Sequence, residues 1–266
     1  GCTAGSAIPV ARYFGAGQYD KMRRAVAGAL IFTLLICAVI TALGLPLITQ
    51  ILRLMLCPAD IFAYSRTYLF YIFLGTIFLG LSNLTSGLLR AVGNSRTPLF
   101  SLAVAGIANV GFNILFVSLG MKVAGVALGT VIAQFISALI CGVYIFRKVP
   151  ELIPRKEDVA RARKATGRAA ALGAPMGFQF SITAIGSLVL QTATNTLGTV
   201  VVSAVTAAGK IFLIFACGIM EPLGTGMVTY VSQNLGAGRI DRVRRLAKVT
   251  PSGNGKSDAS MSWVTS

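Results

Sequence analysis

Residues 14 to 26 read FGAGQYDKMRRAV and residues 235 to 247 read LGAGRIDRVRRLA, so at a constant offset of 221 both glycines, the alanine, the aspartate and both arginines recur. Each copy follows an apolar stretch closed by small or amide residues, and each joins a Gly-x-Gly turn to an acid and a cluster of cations. Such a junction is what a membrane helix presents where it ends at a charged surface.

Composition points the same way. Hydrophobic residues make up 55% of the chain, the mean hydropathy is +0.77, and 24 Lys and Arg stand against 8 Asp and Glu. The charges fall in a few blocks between long uncharged runs, the pattern of an all-α polytopic membrane protein rather than of a basic soluble one. No basic stretch belongs to a soluble domain, so nucleic acid is not an expected partner. Histidine is absent, which excludes Ser-His and Cys-His nucleophiles and His-based metal sites. No span carries the paired acids that membrane enzyme chemistry would need, so neither an enzyme nor a cofactor is expected. Cys2, Cys37, Cys57, Cys141 and Cys217 have no ligand-like spacing and read as small buried hydrophobes.

Residues 1 to 13 read as the last turns of a helix. Residues 25–52, 67–89, 97–121, 123–146 and 169–197 are free of charge, and residues 200–234 hold only Lys210 and Glu221. Each run is long enough to cross about 30 Å of hydrocarbon at 1.5 Å per residue. The expectation is therefore six full transmembrane helices plus part of another. Counting cations on alternate loops puts 19 on one side and three, Arg53, Arg66 and Lys122, on the other. The positive-inside rule assigns the first side to the cytoplasm. Segment 155–168, RKEDVARARKATGR, then reads as a cytoplasmic, interfacial helix, either a solvated connector or a site for anionic lipid.

Six crossings separate the two basic copies. An even number sets both on one face and makes the two halves parallel six-helix repeats about an axis along the membrane normal. Residues 1–148 are then an N-terminal lobe lacking its first helix and most of its second, and 149–168 a connector. Residues 169–249 are the first two helices of a C-terminal lobe. Residues 250–266 read as a disordered, non-native tail.

At this point the chain resembles the multidrug and toxic compound extrusion (MATE) transporters. The resemblance covers residues 1 to about 249 and rests on the two basic junctions, on LLRAVGNSRTPL at 88–99, and on NVGFNILF at 109–116 followed by GVALGT at 125–130. GAPMGFQFSITAIGS at 173–187 and TAAGKI at 206–211 extend it. It implies a twelve-helix, two-lobe secondary exporter of organic, often cationic, drugs, coupled to sodium ion or proton influx by alternating access in a bacterial plasma membrane. The major facilitator signature usually has a glycine inside its basic cluster, where this chain has Lys21-Met22 and Arg242-Val243. Lipid-linked-sugar flippases of the same wider superfamily stay open, as does a truncated, transport-incompetent fragment.

Polar groups inside apolar spans are the candidates for the substrate and ion pathway. Gln179, Thr183, Ser187, Gln191 and Asn195 repeat every four residues and form one stripe on a helix, facing either a cleft or a packed neighbour. Gly173, Pro175 and Gly177 at its start are expected to bend that helix or let a neighbour approach closely. Lys210 and Glu221 are the ionisable pair of the last run; on one helix they would lie roughly 16 Å apart along the axis, too far to pair. Asn109 and Asn113 sit one turn apart. Many members of the resembled family carry a carboxylate where Asn113 stands, and an amide there does not titrate, which argues against proton coupling through that position.

Overall fold

The computed structural model describes residues 1–54, 59–195, 199–215 and 221–249, together with most of their side chains. The described chain is helical. Helices α1 (Cys2–Gly15), α2 (Tyr19–Leu54), α3 (Ala59–Ala91), α4 (Arg96–Ser118) and α5 (Lys122–Lys148) come first, and a 3-10 turn (Pro150–Leu152) and α6 (Lys156–Ala160) follow. Then come α7 (Arg163–Asn195), α8 (Thr199–Phe215), α9 (Glu221–Gly236) and α10 (Ile240–Val249). Among the described residues four helices are long and apolar enough to cross a membrane: α2, α3, α4 and α5. α7 has the length, and several side chains of its second half lie outside the described residues. The last apolar run is described as α8 and α9, with residues 216–220 outside the described set.

Large apolar side chains point outward over much of this surface, including Leu43, Leu99, Ile107 and Phe178. That is how a helical bundle solvated by lipid looks, since lipid tails remove the drive to bury every Leu and Ile. The small core is built from Val10, Ala11, Met22, Ala25, Leu84, Leu88, Leu89, Cys141 and Leu152, contributed by α1, α2, α3, α5 and the 3-10 turn. Cys37 and Cys141 are free and buried, as small hydrophobes should be, and Cys2 is half-buried. Cys57 and Cys217 lie outside the described residues, as does the tail 250–266.

Both basic junctions fold as the same cap. α1 ends with Gly17 at φ +67, its N–H bonded to Phe14 O, while the Gln18 N–H reaches Tyr13 O. α9 ends with Gly238 at φ +71, its N–H bonded to Leu235 O, while the Arg239 N–H reaches Asn234 O. A left-handed residue at this place ties up carbonyls that the helix end would leave unpaired, and glycine adopts it without a Cβ penalty. The apolar residue inside each cation cluster turns inward: Met22 is fully buried and its counterpart Val243 is buried too.

The two caps also touch. A Cβ on Gly15 would collide with Gln233 O, and a Cβ on Gly236 would collide with Arg12 O. Position 236 is 15 and position 233 is 12 shifted by the repeat offset of 221, so each copy makes on the other the contact that it receives. Reciprocity of that kind defines an isologous, two-fold-like contact, and it sets both copies at one end of the bundle. Gln233 strengthens the junction by donating from Nε2 to Ala91 O at 2.7 Å, at the end of α3.

One expectation needs correcting. Segment 155–168 is not a separate interfacial helix. Asp158 accepts the Arg155 N–H at 3.2 Å and closes a single turn, the chain breaks at Arg161 and Ala162, and residues from 163 onward are the first turns of α7. Buried Leu152 and Ala162 pin the connector to the bundle.

Candidate functional site

α4 and α5 form an antiparallel hairpin closed by the turn at Leu119–Met121, and between them runs the best-defined polar constellation of the described chain. Asn113 Nδ2 donates to Asn109 Oδ1 at 3.2 Å, Asn109 Nδ2 donates to Thr130 Oγ1 at 3.3 Å, and the Thr130 hydroxyl donates to Val126 O at 3.0 Å. The one-turn spacing of the two asparagines sets them on one face of α4, and Thr130 meets them across the hairpin. Directionality follows from the last bond. Because the Thr130 hydroxyl spends its proton on Val126, its oxygen can only accept from Asn109, which orients that amide and in turn Asn113.

The chain ends on an open acceptor. Asn113 Oδ1 is buried and has no hydrogen-bond partner among the described residues. It faces Gly129, where any Cβ would collide with it. An amide oxygen is an acceptor of the kind that ammonium groups and bare cations use, and reaching this one would require α4 and α5 to part at Gly129. Thr130 was not singled out by sequence reasoning; it closes the stretch GVALGT, but a lone threonine in an apolar helix has no periodic signal of its own.

The α7 stripe is elsewhere. Gln179, Thr183 and Ser187 are exposed, and the two hydroxyls donate back to the carbonyls one turn earlier, Thr183 to Gln179 O at 3.0 Å and Ser187 to Thr183 O at 3.1 Å. Gln191 and Asn195 are on the same helix, with side chains outside the described residues. No hydrogen bond joins the stripe to Asn109 or Asn113 among the described residues. Close approach at the start of α7 is borne out: a Cβ on Gly173 would lie 2.6 Å from Cys2 O and 2.7 Å from a Phe32 ring carbon. Lys210 is exposed on α8. Glu221 opens α9, followed by Pro222 in the first turn, where a missing N–H costs nothing. Its side chain is outside the described residues, and residues 216–220 separate it from the helix of Lys210.

An apolar bundle, two equivalent caps meeting reciprocally at its cation-rich end, and a part-buried polar chain between two long apolar helices define the class: a helical membrane protein with an internal repeat. The model of the MatE family matches residues 1–115 and 175–251, and the chain belongs to that family. It is 33% identical over 208 residues to the "Probable multidrug resistance protein YpnP" of Bacillus subtilis (strain 168), covering 76% of this chain and 45% of that protein. With the "Probable multidrug resistance protein YoeA" of the same organism it shares 26% over 262 residues, 94% of this chain and 55% of that one. The chain thus spans about half the length of these relatives. Its fold matches that of a MOP superfamily transporter from Pyrococcus furiosus with a TM-score of 0.81 at 19% identity, over 93% of this chain and 55% of that one. Against a MATE family transporter the score is 0.79 for an outward-facing conformation, covering 93% of this chain and 55% of that one, at 19% identity. For an inward-facing conformation it is 0.72, covering 93% and 59%, at 20% identity.

Proposed function

We propose that this chain is part of a secondary exporter of organic, often cationic, compounds, which moves them across a bacterial cytoplasmic membrane against an inward flow of sodium ions or protons. The observation that carries the reading is the oriented Asn113–Asn109–Thr130 chain with its open acceptor, in a chain of the MatE family. Two lobes of six helices related by the repeat would complete the assembly, with the central cleft between them lined by the α7 stripe. Contact between the two caps would close the cleft at the cytoplasmic end.

The site chemistry bears on the coupling ion. Amide and hydroxyl groups do not change protonation state near neutral pH, so the chain on α4 and α5 would hold a sodium ion or an ammonium by its oxygens. Any proton step would have to use a carboxylate elsewhere, and Glu221 is the candidate because it is the acid of the apolar runs. The test is ion-gradient-driven efflux of a fluorescent organic cation from vesicles containing this chain alone or joined to the helices that complete two lobes. Efflux from the completed assembly, driven by an inward sodium or proton gradient, is expected. Glu221→Gln should abolish proton-driven efflux and spare sodium-driven efflux. Efflux indifferent to both gradients would refute the exporter reading, and an unchanged proton dependence in Glu221→Gln would remove that residue from the coupling path.

A further inference from the structure

Beside the capped end of the bundle, α1, α2 and the start of α7 enclose a pocket of about 230 Å³. Lys21 and Arg24 enter it from α2, Arg161 from the break after α6, and Lys164 and Arg168 from the first turns of α7, while Tyr13 of α1 lines its wall. Five cations therefore surround one small space. Arg24 is paired with Asp158, Nε to Oδ1 at 3.4 Å, and Arg168 donates from Nη1 to the Tyr13 hydroxyl at 2.8 Å, which fixes its guanidinium. Among the described residues no carboxylate lies within ion-pair distance of Lys21, Arg161, Lys164 or Arg168.

A soluble surface spreads such charges apart; here three separate segments bring five together, and among the described residues Asp158, on Arg24, is the carboxylate in ion-pair contact with them. Lys164, Ala165, Arg168 and Ala169 line the pocket from one flank of the first two turns of α7. Guanidinium forks, ammonium groups and a phenol match the several oxygens of a phosphate better than a single carboxylate. Pro9, Ala25 and Ala169 supply an apolar side on which a carbon backbone could rest.

We propose that this pocket is a binding site for a phosphate-type anion, either the headgroup of an anionic phospholipid at the membrane surface or free phosphate. A ligand there touches α1 and α2 on one side and α7 on the other, so its binding ties the two halves together next to the Gly15–Gly236 contact. The site is independent of the transport reading, because occupancy is measured without transport.

The experiment uses the purified 266-residue chain in neutral detergent, with the thermal unfolding midpoint read at constant ionic strength. One arm is titrated with inorganic phosphate. Another compares dihexanoyl phosphatidylglycerol with the net-neutral phosphatidylcholine of the same chain length. A saturable rise of the midpoint with phosphate, phosphatidylglycerol or both is expected, and which probe works identifies the source. Lys21→Gln together with Lys164→Gln, two residues that pair with no described acid, should weaken the response by about tenfold. Arg239→Gln with Arg242→Gln, the same charge removed outside the pocket, should leave it within about twofold, as expected of screened charges. Equal weakening by both pairs, or no saturable response to either probe, would overturn the site. If the lysine pair does not fold, Arg161→Gln on the connector serves instead, with the same direction expected and an unchanged response counting against the proposal.

Discussion

Gly15→Ala and Gly236→Ala should each destabilise the chain by about 1–3 kcal/mol, the usual cost of overpacking a closed contact. The two losses should agree to within about 0.5 kcal/mol, the usual tolerance of such comparisons. The reason is geometric: each new methyl would collide with a backbone carbonyl of the opposite copy, Gln233 O in one case and Arg12 O in the other. Neither carbonyl can rotate away without unwinding its helix. Combined, the two substitutions should cost less than the sum, because the first already parts α1 from α9. Gly106→Ala on α4 is the control, with no atom within 4 Å of its added methyl. It should stabilise by about 0.5–1 kcal/mol, the ordinary gain of replacing a helical glycine. Opposite signs at chemically identical substitutions, read by reversible denaturation in detergent, separate close packing from helix propensity. A cost at Gly106 equal to that at Gly15 would remove the packing explanation.

Asn109→Leu should cost about 1–3 kcal/mol, because its loss leaves Asn113 Nδ2 without an acceptor and deprives Thr130 Oγ1 of its donor. Asn113→Leu should cost less, about 1 kcal/mol, since it strands only one atom, Asn109 Oδ1, and discards an acceptor that was already unpaired. Binding of an organic ammonium should fall in both variants. Asn113→Asp should introduce a pH-dependent step in stability and binding between about pH 5 and pH 8 that the unmodified α4–α5 chain lacks, because a titrating group replaces one that does not. Thermal melts and ligand titrations across that range read all three. A pH step that is the same with and without Asn113→Asp would place the titration elsewhere.

How much of this was legible beforehand varies along the chain. The repeat at 14–26 and 235–247 was the strongest signal, because cap and cation cluster occupy consecutive residues and survive in both copies. Met22 and Val243 were visible there only as interruptions of the basic run; their burial beneath the caps explains them. Asn109 and Asn113 were legible as amides in an apolar run one turn apart. Thr130 was not, since its role depends on how α4 pairs with α5, which no local pattern encodes. The start of α7 was misjudged for a physical reason. Arg163, Lys164 and Arg168 stand on the first turns of the long helix α7, where long cationic side chains reach water, so a cation block does not mark the helix boundary. The boundary is the break at Arg161 and Ala162, after the single turn that Asp158 closes on the Arg155 N–H. Helix α7 also shows why periodicity alone left two options: its stripe is unmistakable in the sequence, and what it faces depends on neighbours.

Sidedness tests the central claim most directly. With the five native cysteines replaced by alanine, single cysteines at Tyr19 and Ile240, equivalent exposed positions of the two repeat copies, are labelled with a membrane-impermeant maleimide in right-side-out and inverted vesicles. A third at Met121, in the turn at the far end of the bundle, marks the opposite face. The account predicts that positions 19 and 240 react only in inverted vesicles and position 121 only in right-side-out ones. Labelling of positions 19 and 240 from opposite faces would contradict the even number of crossings, and with it the pairing of the two caps.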